Sequence, residues 1–125
     1  MKKNEIETSQ KKVCDLTSLS EMMLGKKHLI LEIIDSFLKQ APEELLNIEL
    51  AVQNGDFPKI KNSAHTMKSS VLIMGISSLG PVLSEIESLG GLATGITKIE
   101  ELNSRLKLIC KSAIEELENE RVSYL

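Results

Sequence analysis

The chain has 125 residues and a formal charge of −3, from 15 Lys plus Arg against 18 Asp plus Glu; that length suits one domain. Aromatic content is 2%, only Phe37, Phe57 and Tyr124, too little for a base-stacking platform or a methyl-lysine cage. The acidic balance also lacks the basic footprint of a duplex binder, so no nucleic acid is expected as a partner.

The opening MKKNEIETSQKK is charged and polar. It has no apolar run like that of a secretory signal and reads as the start of a free-standing chain, with residues 1–12 a mobile tail ahead of one helical domain over 13–125. The longest apolar stretch, Val71 to Ile76, is far short of the roughly 20 residues that cross a bilayer, so no membrane contact is expected. Cys14 and Cys110 lie far apart and match no zinc-ligand spacing; they read as two reduced thiols of a cytoplasmic protein.

Ser18 to Glu21 (SLSE) fits a capping box at the start of a short helix, in which each end of the first turn satisfies the other's free amide. Leu19, Met22 and Met23 give that helix an apolar side, and Gly25 can end it. A long helix follows, with Ile30, Ile33, Phe37, Ala41, Leu45, Ile48 and Val52 spaced by three or four, a continuous stripe down one face. Pro42 interrupts the hydrogen bonding, but the stripe keeps its phase across it, which predicts a bend rather than a break. Asn54, Gly55 and Asp56 make a turn.

The third helix carries Ile60, Ala64, Met67, Val71 and Met74, with Pro58 in its first turn and Gly75 closing it. Ser77 or Ser78 opens a fourth, with Leu79, Val82, Leu83, Ile86 and Leu89 inward and Pro81 harmless in the first turn. Gly90, Gly91 and Gly95 mark the next connection, and Thr97 to Glu100 (TKIE) is a second capping box. Ile99, Leu102, Leu106, Ile109, Ala113 and Leu117 define the last helix. No segment alternates with period two over a strand's length. The expected fold is all-α: an antiparallel up-down four-helix bundle with a short extra N-terminal helix.

Few residues can carry chemistry. His28 follows Lys26 and Lys27 and reads as a plain surface residue. His65 is different, because its direction follows from its helix. At about 100° per residue it lies roughly 140° from the mean of the stripe Ile60 to Met74, so it faces solvent in mid-helix. One turn away stand Lys61, Lys68 and Ser69, with Leu72 and Ile73 also outside the core stripe. A neutral exposed imidazole keeps a nucleophilic nitrogen, the lysines can receive the charge of a phosphoryl group, and the apolar pair suits a docking partner. No Asp, Glu, His or Cys lies within one turn on that face, so neither a metal site nor an orienting carboxylate is expected. Geometry alone leaves open a merely solvated helix face.

The run Ala64 to Gly75, AHTMKSSVLIMG, resembles the histidine phosphotransfer (HPt) domains of bacterial multistep phosphorelays. Their signature is Ala-His-x-x-Lys-Gly followed by small residues, with a Gly ten positions after the His. Ala64, His65, Lys68, Ser70 and Gly75 match. Asp15-Leu16, Phe37 with Pro42, Leu50-Ala51 with Asp56, Leu79 and Ile86-Glu87 are similar to flanking positions, so the resemblance covers roughly Asp15 to Leu117. Two departures stand out. Ser69 replaces the usual Gly, and either hinders close approach of a receiver or offers a hydroxyl to a phosphoryl oxygen. Leu72 and Ile73 are more apolar than is common.

The resemblance implies a phosphoryl carrier. His65 would take the group from an aspartyl phosphate on the receiver domain of a hybrid sensor kinase and pass it to the receiver of a response regulator. Lys68 and Lys61 would neutralise charge on the moving group. Any Mg²⁺ would belong to the receiver, with no metal or cofactor held by this chain and no autokinase activity. No Gly-rich loop that could cradle ATP phosphates is present. The domain is expected to be a monomer, since no further apolar stripe needs a mate. The alternative is a receiver-binding module without transfer activity.

Overall fold

A computed structural model describes residues 12–125; the tail expected over 1–12 therefore lies, apart from Lys12, outside the described residues. Five α-helices follow in order: α1 Thr17–Met22, α2 Lys27–Gln53, α3 Phe57–Ile73, α4 Leu79–Leu92 and α5 Ile96–Glu120, ending in a 3₁₀ turn at Arg121–Tyr124. No strand forms among the described residues. The four long helices pack as a ring, α2 on α3, α3 on α4, α4 on α5 and α5 on α2. Cross-helix pairs run in opposite senses, Asp35 with Arg121 and Glu49 with Lys107 between α2 and the α5 end, which makes the neighbours antiparallel.

The apolar stripes meet along the axis of that ring. Ile30, Ile34, Phe37, Ala41, Ile48 and Val52 of α2 are buried against Ile60, Ala64, Met67 and Val71 of α3 and the matching faces of α4 and α5. The α2 seam passes through Ile34 rather than Ile33, which is half-buried with Leu45 at the edge of the stripe. α2 runs unbroken through Pro42. Its in-phase stripe lets packing hold both halves in one helix despite the missing amide.

Local signals at the helix ends are the ones the structure changes. Neither capping box forms. α1 starts at Thr17, two residues ahead of the Leu19 that a Ser18 cap would give, because the Asp15 carboxylate accepts the Thr17 amide at 3.0 Å. α5 starts at Ile96, with Gly95 in the left-handed region at φ 73°, so Thr97 already lies inside the first turn. Asp56, read only as a turn residue, caps α3 by accepting the Lys59 amide at 3.2 Å. Ser78 precedes α4 as expected, without a side-chain cap bond.

Gly90 and Gly91, expected in a connection, lie inside α4. A Cβ on Gly90 would stand 3.0 Å from the Lys61 amide nitrogen and 3.2 Å from the Phe57 carbonyl oxygen. Gly90 therefore sets how closely α4 lies on α3, the pair that carries the site.

Candidate functional site

His65 sits in mid-α3 on the side away from the core, with 70% of its side chain exposed. Ala64 and Met67 beside it are fully buried, and this anchors the helix phase that turns the ring outward. The ring is not alone on that face. Glu87, half-buried on α4, accepts at Oε2 from His65 Nδ1 over 2.9 Å and at Oε1 from Lys68 Nζ over 2.8 Å. One carboxylate thus clasps both polar groups of the motif. The expectation that no carboxylate orients His65 is corrected here: the i±3 and i±4 rule sees only a residue's own helix, and Glu87 comes from the next.

Glu87 lies roughly 100° from the mean direction of α4's apolar stripe, at the flank facing a neighbouring helix. That flank position, together with an antiparallel α3–α4 hairpin, is the signal that could have found it. The Lys68 hydrogen bond, with the His65 bond contributing less, holds the Glu87 carboxyl below the ordinary carboxylate range, so it is ionised at neutral pH. An ionised carboxylate only accepts, so Nδ1 carries the hydrogen. In the neutral ring Nε2 then keeps its lone pair.

An open groove of about 630 Å³ runs beside the ring, lined by His65, Lys68, Ser69 and Leu72 of α3, by Gly75 to Ser77, by Gly80 and Ser84 of α4, and by Asp15 and Ser18. Small residues opposite His65 leave the cleft unobstructed. Leu72 is 78% exposed at its rim and Ile73 38% exposed. Four of the six residues singled out from the sequence, His65, Lys68, Ser69 and Leu72, therefore share one groove. Ile73 and Lys61 are not in its lining. The Lys61 stem lies by Gly91, whose Cβ would be 3.6 Å from Lys61 Cδ, because helical side chains tilt toward the N-terminus and carry Lys61 away from His65. His28 is exposed at the start of α2, apart from the groove.

The floor of the groove is fixed by the N-terminal segment. Gly75 has φ 66° and its carbonyl accepts the Asp15 amide at 3.1 Å. A Cβ there would fall 2.0 Å from the Asp15 carbonyl oxygen, so only glycine permits both the left-handed turn and the close approach. Glu116 of α5 holds the same segment by accepting the Val13 and Cys14 amides, each at 2.7 Å.

Among the described residues no three of His, Cys, Asp or Glu come together as a metal site, and no helix is long and apolar enough to cross a membrane. No curated protein and no solved structure matches the chain significantly. A family profile described as the Hpt domain matches residues 32–120, well over half of the chain. The chain belongs to the Hpt domain family. Hpt domains are phosphocarriers that perform histidine phosphotransfer in phosphorelays and interact with receiver domains of two-component systems. The matched span runs from within α2 to the end of α5 and contains His65, Lys68, Ser69 and the Glu87 clasp, whereas Asp15 and Ser18 of the groove precede it.

Proposed function

We propose that His65 is the phosphoryl acceptor of this Hpt domain and that Nε2 is the atom that attacks. The single observation that carries the reading is the bond between His65 Nδ1 and Glu87, which commits one ring nitrogen as donor and leaves the other as a nucleophile facing out of the bundle. Nε2 attacks the phosphorus of a receiver's aspartyl phosphate; the N–P bond forms, the acyl O–P bond breaks, and the aspartate leaves as a carboxylate. The positive charge the ring acquires falls on the side where Glu87 waits, so the same carboxylate that orients the ring stabilises its charged product. Reversal onto another receiver's aspartate completes the relay.

Lys68 stands one turn along and supplies positive charge to the phosphoryl oxygens, since such transfers depend on positioning and electrostatics; Lys61 adds weaker, longer-range charge. Leu72 at the groove rim, with the part-exposed Ile73 next to it in the chain, is the apolar surface against which the receiver docks. The divalent ion of the reaction is assigned to the receiver.

The test is incubation with a panel of phosphorylated receivers and Mg²⁺. A label that is acid-labile, base-stable and abolished by His65→Gln is expected. Receiver binding that is unchanged by His65→Gln, with no label from any receiver, would select a docking module without transfer instead.

A further inference from the structure

Resting on that reading, we infer that Ser69 is a ligand of the phosphoryl group, a hydroxyl donor to one of its oxygens at a position where the family's motif has glycine. Three observations converge on it. Ser69 is exposed and lines the same groove as His65 and Lys68. It lies one turn C-terminal to His65, and helical side chains tilt toward the N-terminus, so its hydroxyl leans toward the imidazole.

The third observation is that this hydroxyl is free. Serine and threonine in mid-helix commonly turn back onto the carbonyl four residues earlier. Thr66 does so, donating to the Asn62 carbonyl at 3.0 Å. Ser69 donates to no protein group among the described residues. Lys68 differs, being already held by Glu87 at 2.8 Å. When a dianionic group arrives on Nε2, Ser69 can turn to it by rotation about one bond, whereas Lys68 must leave or share its carboxylate. A donor that turns to the phosphoryl oxygens only once the group is on Nε2, and gives up no other partner to do so, stabilises the loaded state. The serine therefore lengthens the life of the phosphohistidine.

The lifetime test separates this role from bulk. Full-length chain is phosphorylated with phosphoramidate, a small-molecule phosphoryl donor, in a His28→Gln background so that only His65 reports. Loss of the phosphohistidine is followed by ³¹P NMR at neutral pH. Ser69→Ala, almost isosteric, is expected to shorten the half-life about fivefold, within the range of a single ordinary hydrogen bond. Ser69→Gly should do the same, and Ser69→Thr should keep the long half-life. A half-life in Ser69→Ala equal to that of the parent would overturn the inference and leave the serine a steric element only. Failure of the parent to take label at His65 from phosphoramidate or any receiver would overturn the proposed function, and the role of Ser69 with it.

Discussion

At the scale of single residues the site is governed by one carboxylate. Glu87 touches both His65 and Lys68, so its effects can be separated by changing one partner at a time. Lys68→Met removes the larger cause of the depressed Glu87 carboxyl. The midpoint of the Glu87 ¹³C carboxyl titration should then rise toward the ordinary glutamate range; an unmoved midpoint would show that Lys68 does not hold it in solution. The sign follows from linkage. A group depressed in the folded state contributes above its unfolded pKa, and that contribution is lost as pH falls through the depressed value. The clasp is therefore intact at neutral pH and opens only in acid. Glu87→Gln keeps the shape but leaves one neutral oxygen for two donors, because its carboxamide nitrogen cannot accept from either His65 or Lys68. Phosphoryl uptake from a receiver is expected to slow by about tenfold, an order typical of losing a residue that orients and charge-matches a reacting imidazole, with thermal stability changed little because the partner His65 is exposed and the half-buried Glu87 sits at the bundle surface. His65 was legible from helical phase alone. Glu87 was not, because periodicity describes one helix at a time and the clasp joins two.

At the scale of elements, the periodic stripes located every long helix, whereas the local signals at helix ends were overruled by tertiary contacts. SLSE and TKIE have the right letters for capping boxes, but Asp15 and Gly95 set the starts of α1 and α5 first. Gly90 and Gly91 look like a loop in the sequence, yet Gly90 is where α4 closes on the Lys61 and Phe57 backbone, a contact that no one-dimensional pattern carries. The glycines therefore divide into opposite predictions. Gly91 is exposed inside α4 and a Cβ there meets only the Lys61 stem at 3.6 Å, so Gly91→Ala should stabilise the fold by about 0.5 kcal/mol through helix propensity. Gly75→Ala forces a side chain into the Asp15 carbonyl from a left-handed residue. It should destabilise the fold by about 2 kcal/mol or more and deform the groove floor beside His65. Urea unfolding of both variants checks the two signs, and a stabilising Gly75→Ala would refute the account of the junction between α3 and the N-terminal segment.

Across the whole molecule, the aliphatic core and the exposed rim proposed to meet a receiver are physically separate. Leu106 is fully buried, so Leu106→Ala should cost about 2–5 kcal/mol while the folded fraction transfers normally. Leu72, 78% exposed, should behave in reverse: Leu72→Ala leaves the melting temperature in place and weakens receiver binding by about tenfold. The two thiols report on a further division within the fold. Burial is the main cause that pushes Cys14 up to about 12 and Cys110 up to about 11, and reactivity requires the thiolate, so neither should alkylate at pH 8 while enclosed. They are enclosed by different structures. Cys110 belongs to α5 and is sealed within the bundle, whereas Cys14 belongs to the segment fastened by Glu116 and Gly75. Segments held by few bonds open at lower free energy than the core. The Val13 and Cys14 amides use different oxygens of Glu116, so Glu116→Gln leaves one of them a neutral acceptor and sets a carboxamide NH2, which only donates, against the other. Iodoacetamide labelling resolved by peptide mass should then accelerate at Cys14 by about tenfold or more, while Cys110 keeps its rate. Equal acceleration at both thiols would mean that residues 12–16 and the bundle open as one unit, and that the groove floor is as stable as the core itself.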